Sequence, residues 1–168
     1  NDGGTCLAEN CDDTDGNGTP DKCESVGDGV HLVPEEYSTI QEAINAAGYG
    51  DEIIIGPGTY TNKAGTVINT VGKQLWIHSS NGPEVTIIDG EGKHCVIECV
   101  SGETSETVIE DLTIKNGYSE LGGGLHCYGS SPTINGCIFT TNTSMQGGGI
   151  YSSNSQMVIV DSTLSNNN

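Results

Sequence analysis

Arginine is absent from this 168-residue chain and lysine is scarce: five lysines stand against 23 acidic residues, for a formal net charge of −18. A surface of that sign repels phosphate backbones and anionic lipid headgroups, which excludes nucleic acid as a partner. A cation or a saline medium suits it better. Aromatic bulk is also lacking, with one Phe and one Trp, so a core has to come from Ile, Val and Leu. No apolar run approaches the ~20 residues of a membrane-spanning helix.

What is present is glycine, 25 residues of it, and cysteine, seven residues. That much glycine is unsuited to a helical bundle. Seven cysteines in a chain of this size point to an oxidising, secreted or cell-surface setting. Because the number is odd, one thiol is free or pairs with another chain.

Three segments follow from texture. Residues 1–29 are acidic and rich in Gly and Cys. Residues 30–50 hold one helix: Ser38 and Gln41 have the spacing of a capping box, Ile40, Ala43, Ile44 and Ala47 form one apolar stripe, and Gly48 is placed to close the C-terminus. Residues 51–168 change character. Short β-branched runs (Glu52–Ile55, Leu75–Ile77, Val85–Ile88, Val108–Ile109, Leu112–Ile114) alternate with Gly/Asn/Ser/Thr turns.

A repeat decides the architecture. Gly122–Leu125 and Gly147–Ile150, each three glycines and an aliphatic residue, lie 25 residues apart. The same step carries Ile109 onto Ile134 and Ile159, Leu112 onto Cys137, Ile114 onto Phe139 and Leu164, and Asn142 onto Asn167. Short strands at such a period, without interleaved helices, define a stacked solenoid. The expectation is an all-β fold: a single-stranded right-handed parallel β-helix of roughly five coils with a short N-terminal capping helix. Its length would be ~25 Å at ~4.8 Å per layer.

The stretch STIQEAINAAGYGDEIIIGPGTY, residues 38–60, resembles the capping helix and first coil of right-handed parallel β-helices. Phe139–Asn142, Gly123–His126 and Gly148–Tyr151 resemble the FxxN and GG-(I/L) repeats of polymorphic outer-membrane adhesins. That resemblance spans residues ~30–168 and implies the fold; the superfold serves lyases, hydrolases, adhesins and fibres alike.

DTDGNGTPDKCE, residues 13–24, follows the register of an EF-hand loop: Asp13, Asp15, Asn17, Thr19, Asp21 and Glu24 at positions 1, 3, 5, 7, 9 and 12, with Gly18 at 6. Such an oxygen set suits Ca²⁺. The loop resembles those of dockerins and thrombospondin type 3 repeats. Pro20 stands where an EF-hand has a pairing aliphatic residue, so a structural ion is expected and not a sensor. Cys11 and Cys23 bracket the loop as a candidate disulfide. Asn17 also begins a glycosylation sequon, a use incompatible with ligation.

Elsewhere, His94-Cys95 and His126-Cys127 are expected on adjacent coils, which makes Cys95–Cys127 a candidate disulfide or a pair of buried thiols; a site of two His and two Cys for a metal is the rival reading. Asn142 begins a second sequon, and Asn116, Asn142 and Asn167 are expected to form a ladder of turn asparagines. Asp89 with Glu91, or Glu110 with Asp111, is a possible carboxylate pair, but solvated turn acids are the simpler account. Without an arginine or a clustered-Asp hydrolase motif, no catalytic residue is assigned. The last coil is expected to close at Leu164–Asn168 without a polar or helical cap, which is read either as a fragment of a longer solenoid or as a coil that docks onto something. Together these features lead us to expect a secreted, Ca²⁺-stabilised structural protein assembling head to tail into an extracellular filament or surface layer. A carbohydrate-binding or adhesive module and a minimal polysaccharide lyase are the alternatives.

Overall fold

The structure, a computed structural model, describes residues 29–168. The loop residues Asp13, Asp15, Asn17, Thr19, Asp21 and Glu24, with Cys11 and Cys23, lie outside the described residues. Within them every strand pairing is parallel. The chain is a parallel β-solenoid of about five turns with one short helix.

Three sheets run along the solenoid, of six, five and four strands, with a two-stranded fourth at one turn. Side chains alternate in and out along each strand, so in-register stacking sorts them into columns. One interior column is Ile53, Ile77, Ile109, Ile134 and Ile159. A second is Ile88, Ile114, Phe139 and Leu164. A third is Ile68, Ile97, Leu125 and Ile150. The 25-residue step read from the sequence holds from Ile109 onward. Before it the coils are uneven: 24 residues separate Ile53 from its partner Ile77, and 32 separate Ile77 from Ile109. The loop 101–107 accounts for part of the longer step.

The strand Val30–Val33 pairs with Glu52–Ile55. The first layer of the solenoid thus begins within the segment assigned to the cap. The helix, Ile40–Ala46, buries Ile40, Ala43 and Ile44 against this layer. Its capping box is Thr39 with Glu42, one residue later than Ser38 with Gln41; Ser38 instead donates its hydroxyl to Glu42 Oε2. Gly48 does not close the C-terminus. The C-cap is Ala47 in an extended conformation, and Lys73 Nζ donates to the carbonyls of Ile44, Asn45 and Ala47 at 2.8, 3.2 and 2.6 Å. A cation on a following coil thus satisfies the helix end that a left-handed glycine would otherwise close.

The triple glycines have a packing reason. Gly122 and Gly147 adopt φ of +64° and +69°. Their followers do not, but a Cβ on Gly124 would meet the Gly149 carbonyl oxygen, with Asn142 Nδ2 and Phe139 Cδ1 both at 2.9 Å. Backbone occupies the space there, and the one large aromatic of the core fills what remains. Because Ile109 is covered by Ile77 on one side and Ile134 on the other, Ile109→Ala should lower unfolding stability by ~2–5 kcal/mol in urea titrations.

Candidate functional site

Outward-facing side chains form the candidate surfaces. A cavity of about 570 Å³ crosses three successive coils at one turn. Asp89, Glu91 and Gly92 come from the first, Asn116, Gly117 and Tyr118 from the second, and Thr141 and Thr143 from the third. Glu91, Asn116 and Thr141 all have left-handed backbones (φ 54°, 52° and 59°), which end each strand sharply and turn the next segment away.

Asp89 is the fixed point of this cleft. Its carboxylate accepts both bonds from Asn116 Nδ2, at 3.1 and 3.0 Å, and one from the Glu91 amide at 2.8 Å. Lys115 lies 3.6 Å from it, and Lys93 lies 3.5 Å from Glu91. The two acids are therefore each matched by a lysine. They are separate members of a polar wall. Tyr118, 55% exposed, completes the lining. The alternative pair Glu110 and Asp111 is likewise divided: Glu110 accepts from Trp76 Nε1 and Asn135 Nδ2, while Asp111 adopts a left-handed turn.

A second exposed group lies on the six-stranded sheet. Trp76 stacks on His78 with ring centroids 4.2 Å apart, and His78 Nε2 bonds Glu52 Oε1 at 2.7 Å. The sequence reading placed Trp76 in a strand but assigned it no surface.

The expected Cys95–Cys127 disulfide needs correction, and the alternative of buried thiols holds there. Cys95 and Cys127 are free thiols, and the register sets Cys127 beside Cys99. The offset arises because the cysteine four residues later, not Cys95, shares the inward column with Thr70 and Ser152. The rival metal site does not assemble either: among the described residues no group of three or more His, Cys, Asp or Glu is placed to hold an ion. His126 instead faces outward against Tyr151, ring centroids 5.7 Å apart. Burial pushes the Cys95 and Cys137 thiols up to about 12, and raises Cys99 and Cys127 as well. These four should resist iodoacetamide in the native protein at pH 8 and react fully in urea, as read by peptide mass spectrometry.

Asn142 is not available for glycosylation in this fold, being 0% exposed. Its amide donates to the Ile114 carbonyl and to Asn167 Oδ1, each at 3.0 Å, and its oxygen accepts from the Gly117 amide at 2.8 Å. The ladder is thus Asn142 with Asn167. Asn116 falls one residue out of register and serves the cleft instead.

The sequence reading also missed Glu103, a carboxylate 2% exposed in the loop 101–107. It accepts from Thr70 Oγ1 and Ser130 Oγ, both at 2.6 Å, and from the amides of Gly72 and Ser101, both at 2.9 Å. It ties three coils together. Burial alone raises its pKa, but the bonds from Ser130, Thr70 and Ser101 outweigh that and hold it below the ordinary carboxylate value. Asp51 follows the same logic: burial raises it, while His31 and the Gly48 and Gly29 amides lower it further.

No family model matches the chain, and no curated protein or solved structure matches it either. The fold therefore rests on its own geometry.

Both carboxylates have folded-state pKa values below their unfolded ones. Their stabilisation is complete above ~4.3 and is lost as pH falls through the lowered folded values. Urea midpoints should drop as pH falls from 5 to 3, and Glu103→Gln should flatten that dependence while lowering stability at pH 7.

Proposed function

We propose that this chain is a non-catalytic structural module of an extracellular assembly, a β-solenoid whose copies stack as its coils do. One observation carries the reading: the interior columns Ile53, Ile77, Ile109, Ile134 and Ile88, Ile114, Phe139 run in register through successive coils, so each coil is completed by a like coil beside it.

In a head-to-tail filament one end of the solenoid meets the cap side of the next copy, a heterologous contact that repeats without closing. Ca²⁺ held by Asp13, Asp15, Asn17, Thr19, Asp21 and Glu24 would order the acidic segment preceding that cap. The ion would also relieve part of the repulsion between subunits of net charge −18.

Sedimentation velocity and negative-stain microscopy on the 168-residue chain test the reading. Elongated oligomers are expected to grow with concentration in Ca²⁺ and to shrink in EGTA. Leu164→Lys should return the protein to monomer with an unchanged far-UV spectrum. A monodisperse monomer both with and without Ca²⁺ contradicts the reading.

A further inference from the structure

We propose that the cleft between Asp89 and Thr143 is a binding site for an uncharged oligosaccharide. The site goes beyond the stacking role and lies on the side of the solenoid, so it stands whether or not copies stack.

The lining selects the ligand by elimination. An apolar ligand would find Asp89, Glu91, Asn116, Thr141 and Thr143 around it, a wall of hydrogen-bonding groups. A cation would find both carboxylates already matched, Asp89 by Lys115 and Glu91 by Lys93. An anion would have to approach a molecule of net charge −18. What remains is a neutral ligand dense in hydroxyl groups. Such a ligand donates to carboxylates and accepts from amide and threonine groups, all of which line the cleft.

Tyr118 supplies the other half of sugar recognition. A pyranose carries an apolar C–H face, and an exposed aromatic ring gives it a flat surface at low entropic cost. The tyrosine ring stands more than half exposed at the cleft wall with its hydroxyl free to reach solvent or a sugar. Asn116, anchored to Asp89 at both carboxylate oxygens, keeps the neighbouring wall in one arrangement. Little conformational freedom is then lost on binding.

Dimensions agree. The cavity's 570 Å³ falls within the ~300–1,000 Å³ of small-molecule sites. Its three coils span ~10 Å from first to third layer, which suits a segment of about two sugar rings laid along the solenoid axis.

The test uses the 168-residue chain on an immobilised panel of β-glucan, mannan, galactan and chitin oligosaccharides beside oligogalacturonate and alginate. Titration calorimetry with the best binder follows. Binding to one or more neutral oligosaccharides is expected, and Tyr118→Ala should weaken it at least tenfold without altering the far-UV spectrum. Trp76→Ala, which removes an exposed aromatic on a different sheet, should leave affinity unchanged. So should Leu164→Lys, which separates this site from assembly. The proposal is overturned if no neutral oligosaccharide binds, if the uronates bind better, or if Tyr118→Ala binds as the parent does.

Discussion

Each coil of this protein is held by the coil beside it. A single turn of chain contains three or four short strands that cannot pair with one another, so their amides and carbonyls find partners only in the layers above and below. In-register parallel pairing is therefore the constraint from which the other features follow. It forces like side chains into columns, which is why Ile53, Ile77, Ile109 and Ile134 are all fully buried. It also brings backbone against backbone at the turns, where Gly124 leaves no room for a side chain.

The same constraint governs polar groups in the interior. A buried amide or carboxylate inside a solenoid finds partners along the axis, as Asn142 and Glu103 do. Asn142 bonds the coil on either side of it, through Gly117 and Asn167. Glu103 gathers Thr70, Ser101 and Ser130. Among the described residues no buried side-chain nitrogen or oxygen lacks a hydrogen-bond partner. The outer face is released from this discipline. Trp76, Tyr118 and Tyr128 can stand exposed because the columns beneath them already supply the stability.

The C-terminal coils were legible in the sequence because their period is constant. Ile109, Ile134 and Ile159 align by a fixed step, and so do Phe139 and Leu164. The early coils were legible only as separate β-branched runs, since loops of different length destroy the period between Ile53 and Ile109. That uneven spacing hid the pairing of Cys99 with Cys127, where a match of His-Cys dipeptides pointed to Cys95. It also hid Glu103, an acid in a loop with nothing local to mark it as buried. Lys73 was illegible for a related reason: it closes a helix 26 residues away, a contact no local pattern contains. Of the cleft, Asp89 and Glu91 were visible as neighbouring acids. Their lysine partners and the placing of Tyr118 depend on which turns stack, and that is set by the register.

Coil-upon-coil pairing holds the single molecule together, and in the proposed assembly it would join successive molecules too. Hydrogen exchange on the 168-residue chain, followed by mass spectrometry at several protein concentrations in Ca²⁺, tests it most directly. Amides of the central strands Val108–Glu110, Thr133–Asn135 and Ile138–Thr140 have strand partners on both sides. They should be strongly protected at every concentration. Those of Val158–Val160 and Thr163–Ser165, paired on one side, should exchange faster in dilute solution and become protected as concentration rises. Uniform protection across all coils, or a final coil whose exchange ignores concentration, would contradict the account.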